Sequence, residues 1–236
     1  MRLRNALHIA FVALLAAAAM TASAQVQLSL WNFNDENFSP DGGVLRGSLT
    51  LLGGTTFAWA TGSPLDTASP NRGLNTTTYP AQGTGNRTAG VRFNTPTTGY
   101  KDVVVKLDFR WSNTASKYAR FQYTVDGTNW IDGPQMVATG GDTWYSQGYG
   151  SLLVVNFTGN AAVSNNPLFA FRIVSEFAPG TNAYEAARST SSYASTGTYR
   201  FDLVEVQAVP VPEPASMMSL AAGVMGLLAL RRRSAR

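Results

Sequence analysis

The sequence predicts an all-β domain, an antiparallel two-sheet sandwich of jelly-roll type, followed by a short C-terminal hydrophobic helix. Three observations predict it. Apolar and polar residues alternate through most of the middle of the chain, which is the period of a half-buried strand. No stretch of that middle carries a 3.6-residue apolar stripe, and no fixed repeat suggests a propeller or solenoid. The 236 residues also divide into two apolar, arginine-bearing ends and a middle of 25–209, long enough for one well-buried domain.

The elements follow in chain order. Arg2 and Arg4 precede an apolar run over 6–20, which gives way to Ala22 and Ala24. Basic, then apolar, then small residues make a secretory signal peptide over 1–24. Cleavage after Ala24 by signal peptidase leaves Gln25 as the mature N-terminus. Strands are expected over 26–33 and 49–59. Segment 61–88 is dense in Gly, Ser, Thr, Asn and Pro, and a loop of that length is expected to be ordered only in part. Strands resume over 89–93 and 103–111, where Val103, Val105, Leu107, Phe109 and Trp111 share one face.

Strand 118–125 turns Ala119, Phe121, Tyr123 and Val125 to one side and ends at Asp126-Gly127, a pair suited to a tight hairpin. The run from Tyr123 to Trp130 resembles a strand-turn-strand hairpin of secreted bacterial jelly rolls. It is also similar to the Asp-box of sialidases, but lacks the residue between Asp and Gly, so it is read as a turn signal. Trp130 and Ile131 resume an extended run, and strands follow over 152–157 and 168–177. The latter sets Phe169, Phe171, Ile173 and Phe177 against Arg172 and Glu176. A second polar loop, 178–197, likewise expected to be ordered only in part, leads to the last strand, 198–206. Trp31, Phe109 and Trp111 are assigned to the core.

Chemistry is narrowed by what the chain lacks. There is no cysteine, and the one histidine, His8, lies in the leading segment. The mature middle therefore has no disulfide, no Cys or His metal ligand and no nucleophile with a histidine base. Six of the 18 basic residues and one of the 14 acidic residues, Glu213, lie in the two ends. That leaves 12 basic against 13 acidic side chains in the middle, a formal net of −1. The pI of about 9.5 belongs to the ends and does not point to nucleic acid.

Carboxylate pairs are the remaining catalytic route. Asp202 and Glu205, three apart on an expected strand, should face opposite ways, and the adjacent Asp35 and Glu36 should diverge. No catalytic residue is assigned. A structural Ca²⁺ held by Asp35, Glu36 and Asp202 is conceivable, but six to eight oxygen ligands are needed and no contiguous loop supplies them. Within 141–150, Trp144, Tyr145 and Tyr149 could stack on sugar rings while Asp142 and Gln147 bond hydroxyls. The competing reading makes Trp144 a plug at the sandwich edge.

At the C-terminus, Val209-Pro210-Val211-Pro212-Glu213-Pro214 is an extended, solvated spacer. The uncharged stretch 215–230 follows, then Arg231, Arg232 and Arg233. As a helix the stretch reaches about 24 Å at ~1.5 Å per residue, somewhat short of a ~30 Å hydrocarbon core. The arginines would stop it on the cytoplasmic side. This tail, 210–236, resembles the PEP-CTERM sorting signal through Pro212-Glu213-Pro214, the apolar segment and the arginines in that order. The resemblance implies a Gram-negative bacterium, a membrane stage before processing, and an exosortase that cuts near the motif. It also implies a cell surface or polysaccharide matrix as destination.

The expected protein is thus an exported, non-catalytic component of the cell surface or extracellular matrix. A polysaccharide-binding module using Trp144, Tyr145 and Tyr149 is the alternative, and a carboxylate-dependent glycosidase or lyase the second.

Overall fold

The computed structural model describes residues 24–44, 47–145 and 153–212. Ala22, Gln147, Tyr149, Glu213, Pro214, the expected helix over 215–230 and Arg231–Arg233 lie outside the described residues. The compact unit runs from Gln25 to Val209. Twelve strands and no helix occur among the described residues.

In chain order these are β1 (Val26–Trp31), β2 (Ser48–Leu52), β3 (Thr56–Thr61), β4 (Arg72–Thr77), β5 (Gly90–Asn94) and β6 (Tyr100–Trp111). They continue with β7 (Tyr118–Thr124), β8 (Ile131–Val137), β9 (Thr143–Tyr145), β10 (Leu153–Asn156), β11 (Ala170–Glu176) and β12 (Tyr199–Pro210). One sheet has five antiparallel strands in the order β2-β5-β11-β7-β8. The other has seven, built on the neighbouring long strands β6 and β12. β9 and β10 share the free edge of β6, pairing with different parts of it. β1 and β4 share the far edge of β12 in the same way, and β3 pairs outside β4.

The inward faces meet in an aromatic core. Phe93 of the five-stranded sheet lies 5.1 Å from Trp31 and 6.2 Å from Phe201 of the other, and stacks on Phe171 at 5.0 Å. Phe109 packs on Phe201 at 4.9 Å. Each such ring, fully buried, stabilises the fold by roughly 1.5–3 kcal/mol.

Three expectations are corrected. The strand expected over 49–59 is two strands in different sheets. Gly53 and Gly54 have φ of +65° and +79°, and a Cβ on Gly53 would sit 2.6 Å from the Thr88 carbonyl oxygen, so the chain turns there. Segment 61–88 is described throughout and contains β4. Its inward residues are Leu74 and the buried Thr76, whose hydroxyl bonds the Tyr199 carbonyl at 2.9 Å and lies 2.6 Å from the Tyr79 hydroxyl. Segment 178–197 is also described throughout. The Tyr184 ring packs 4.6 Å from Phe177 and 4.5 Å from Tyr193, and Ala186 bridges to Ser116.

Asp202 and Glu205 form the third correction. Leu203 has φ +45°, a bulge that resets the alternation, so Phe201 and Val204 both enter the core although three apart. The same offset leaves Asp202 and Glu205 on one face. Residues 62–71 cross over Asp202 and bury it completely. Its Oδ2 accepts the Ser63 amide at 2.6 Å and its Oδ1 the Leu203 amide at 2.7 Å. Ser63 in turn donates its hydroxyl to the buried Asp108 of β6.

Candidate functional site

The outer face of the five-stranded sheet carries a row of polar side chains that the core alternation dictates. Val91 and Phe93 point inward on β5, Phe121 on β7, and Phe171 and Ile173 on β11. Arg92 and Asn94, Arg120 and Gln122, and Arg172 and Glu176 therefore point outward. Register sets them in line: Arg92 is opposite Arg172, Arg172 opposite Gln122, and Gln122 opposite Asp132 of β8.

One end of this row is neutralised. Glu176, 4% exposed, accepts Arg120 Nη2 at 2.9 Å and Gln135 Nε2 at 2.8 Å, and also pairs with Arg87. Arg87 Nη1 reaches Asp132 Oδ2 at 2.7 Å, and Gln122 Nε2 donates to Asp132 Oδ1 at 2.8 Å. Burial works against ionised Glu176, but its hydrogen bonds from Arg120, Gln135 and Arg87 outweigh it and hold the carboxyl below its ordinary value. The Gln122 amide, with Arg87 and Arg120, does the same for Asp132.

The other end has no ion pair of its own, although Asp132 attracts Arg172 without direct contact. Arg172 Nε donates to Gln122 Oε1 at 2.7 Å, and Arg92 Nε to Asn94 Oδ1 at 2.7 Å; both acceptors are uncharged amides. Among the described residues neither arginine forms an ion pair. Their guanidinium carbons lie 5.2 Å (Arg92) and 4.2 Å (Arg172) from the Trp130 ring centroid. Burial and the neighbouring Arg92 charge bring the Arg172 pKa down to about 10, which leaves it charged at neutral pH.

The Asp126-Gly127 turn delivers Trp130 to this position. Gly127 takes φ +81°, and the Asp126 carboxylate accepts the Thr128 and Asn129 amides at 2.9 and 2.7 Å. Hydrogen bonds from the Asn129 side chain and these amides hold Asp126 well below the usual carboxylate range. The turn needs no ligand; its consequence is where it leaves the indole.

The aromatics of the alternative sugar platform lie as follows. Tyr145 is buried, its ring 4.6 Å from Trp111 and its hydroxyl bonded to Thr139. Trp144 is half-buried opposite Arg110, so Tyr145 rather than Trp144 fills the sandwich edge. Asp142 forms an ion pair with Arg110 at 2.8 Å. With Tyr149 outside the described residues, no platform of three is assembled among those described. A cavity of about 210 Å³ next to Tyr145 is lined mainly by Phe109, Trp111, Met136 and Leu153.

The oxygens weighed as Ca²⁺ ligands do not converge. Asp35 accepts from Asn37, Glu36 pairs with Arg72 at 2.8 Å, and Asp202 lies beneath Ser63. Among the described residues no group of three acidic side chains is placed to hold a metal. Burial, reinforced by Asp66 and Asp108, pushes Asp202 up to about 8, and burial pushes Asp108 up to about 6.

Comparison with known proteins bears first on the tail; Val209 and Pro210, expected in the spacer, are the last residues of β12, so the spacer begins only at Val211. Residues 210–233 match the PEP-CTERM protein-sorting motif. The PEP-CTERM motif implies an exported, cell-surface protein that is sorted by exosortase. No curated protein matches the chain. Among solved structures, the CBM22-1-CBM22-2 tandem domain of Paenibacillus barcinonensis Xyn10C aligns over 82% of this chain at 13% identity with a TM-score of 0.46. The chain spans about half (49%) of that protein. Domain 4 of AbnA, an extracellular arabinanase of Geobacillus stearothermophilus solved with arabinotriose, aligns over 84% of this chain and 98% of its own at 14% identity, TM-score 0.41.

Proposed function

We propose that this is an exported, non-catalytic protein of the cell surface or extracellular matrix of a Gram-negative bacterium, whose jelly-roll domain binds polysaccharide through the outer face of its five-stranded sheet. Signal peptidase releases Gln25, and exosortase cuts the PEP-CTERM tail after the domain has crossed the membrane. The observation that carries the binding role is the row Arg92–Trp130–Arg172, an aromatic ring set among uncommitted hydrogen-bond donors on a rigid sheet. Aromatic rings stack on the apolar faces of sugars while such donors bond their oxygens. A glycosidase reading is weaker, because a general acid must hold a proton near neutral pH. On this face Asp132 is held ionised by Gln122 with Arg87 and Arg120, and Glu176 by Arg120, Gln135 and Arg87; the acids that do hold a proton, Asp202 and Asp108, are buried under Ser63.

Intact-mass measurement of the exported protein tests the processing. The expected product begins at Gln25 and lacks Arg231–Arg233; a product ending at Arg236 would overturn the sorting claim. Pull-down of the same protein on a panel of immobilised polysaccharides tests binding, and failure on every member rejects it. The domain is proposed to work without a resident metal. Dialysis against EDTA should then leave its thermal midpoint unchanged, and a rise of several degrees on adding Ca²⁺ would contradict that.

A further inference from the structure

We propose that the polysaccharide recognised by this face is anionic, with ring carboxylates as in uronic-acid polymers, and that Arg92 and Arg172 grip one carboxylate while Trp130 supports the adjoining ring. The inference rests on the polysaccharide-binding reading and adds the chemical class of the ligand.

The argument is one of charge left over. Four arginines, Arg87, Arg92, Arg120 and Arg172, stand on or beside this face with only two carboxylates, Asp132 and Glu176, among them. Both carboxylates are committed to Arg87 and Arg120. Arg92 and Arg172 are cross-strand neighbours, and like charges placed directly opposite each other destabilise a sheet. Neutral amides take one nitrogen of each, and the indole contributes cation–π attraction to both. Neither supplies the missing negative charge.

That excess sits on a domain whose net charge is slightly negative, so it is a local feature and not a by-product of a basic surface. The two terminal amino groups of each guanidinium remain to donate, a planar arrangement that matches the oxygens of a carboxylate. A neutral sugar could use these donors but would leave the two charges facing each other. A carboxylate satisfies the donors and removes the repulsion. In a pyranuronate the carboxylate is attached to the ring, so a bound carboxylate brings that ring against Trp130.

The test uses the mature exported protein in affinity electrophoresis through gels containing polygalacturonate or alginate, neutral xylan or dextran, or heparin or DNA. Retardation is expected in the two uronate gels, weakening as salt is raised, and little in the neutral gels. Arg92→Gln and Arg172→Gln should each weaken uronate binding about tenfold or more, the scale of one charge-assisted hydrogen bond. Arg172→Lys should recover only part of the loss, because it keeps charge without the fork. Trp130→Ala should weaken it as well, with thermal midpoints of all variants close to wild type.

Neutral polymers bound as tightly as uronates, with Trp130→Ala deleterious and both glutamine variants harmless, would overturn the anionic assignment and leave the binding role standing. Uronate binding unaffected by all three substitutions would overturn the site. Equal retention by heparin and DNA would reduce the face to a general anion exchanger and reject carboxylate recognition. Binding to nothing would reject both readings.

Discussion

Glu176→Ala is expected to destabilise the domain by about 3–5 kcal/mol, the range for removing one partner of a buried ion pair. In a domain of this size that lowers the thermal midpoint by roughly 10 °C. The magnitude follows from how much converges on one carboxylate: Arg87, Arg120 and Gln135 donate to a side chain that is 4% exposed. Alanine leaves two guanidinium charges facing each other with nothing between them. Glu176→Gln keeps the shape and some hydrogen bonds, so its loss should be smaller. Because the folded carboxyl is held below its ordinary value, the stabilisation is present above the unfolded pKa of ~4.3 and is lost as pH falls through the folded one. Chemical denaturation of both variants at pH 7 and pH 3.5 measures this. A change below about 1 kcal/mol at pH 7 would mean that the network does not hold the face together.

Asp202→Asn works in the opposite direction and should stabilise the domain at pH 8. An acid whose folded pKa lies at about 8, against ~3.9 unfolded, binds its proton more tightly when folded. Its stabilisation is complete below pH ~4 and declines as pH rises to about 8. Each pH unit between the two values is worth ~1.4 kcal/mol, so the total is on the order of 5 kcal/mol. Asp108, at about 6, adds a decline of the same sign between pH ~4 and 6. The asparagine removes the larger slope at the expense of one hydrogen bond, since it has a single acceptor for the Ser63 and Leu203 amides. Wild type should therefore be less stable at pH 8 than at pH 5, with Asp202→Asn keeping only the smaller Asp108 decline of ~1.4 kcal/mol between pH 5 and 6. Parallel pH profiles for the two proteins would reject this account. Glu176 stops adding stability above its unfolded pKa of ~4.3 and the two aspartates begin to lose it above ~3.9, so together these carboxylates put the stability maximum at about pH 4.

The fold was legible where one face is apolar. Over β6 and β7, and from Phe169 to Ile173, hydrophobic residues repeat at period two, and those positions do form the core. β4 was hidden because Arg72, Gly73, Asn75 and Thr77 surround a single large apolar residue, Leu74. Its strand character comes from backbone pairing with β3 and β12, which no local pattern announces. The bulge at Leu203 escaped for a related reason: a non-glycine residue at positive φ is imposed by its surroundings, and it reversed the reading of Asp202 against Glu205. Of the binding face, alternation revealed that Arg172 and Glu176 point away from the core, and the Asp126-Gly127 turn was evident. What could not be read was register. Arg92 and Arg172 are 80 residues apart in the chain, and only the β5–β11 pairing makes them neighbours under Trp130.

The position of β12 has a mechanical consequence. It is the strand that continues into the sorting tail, yet it lies inside its sheet, bonded to β6 on one side and to β1 and β4 on the other. Tension applied along that tail must slide β12 past several partners at once. That loads many hydrogen bonds in parallel, whereas a terminal edge strand would unzip one bond at a time. Val26 pairs with Ala208, so the start of the domain is itself part of what resists the pull.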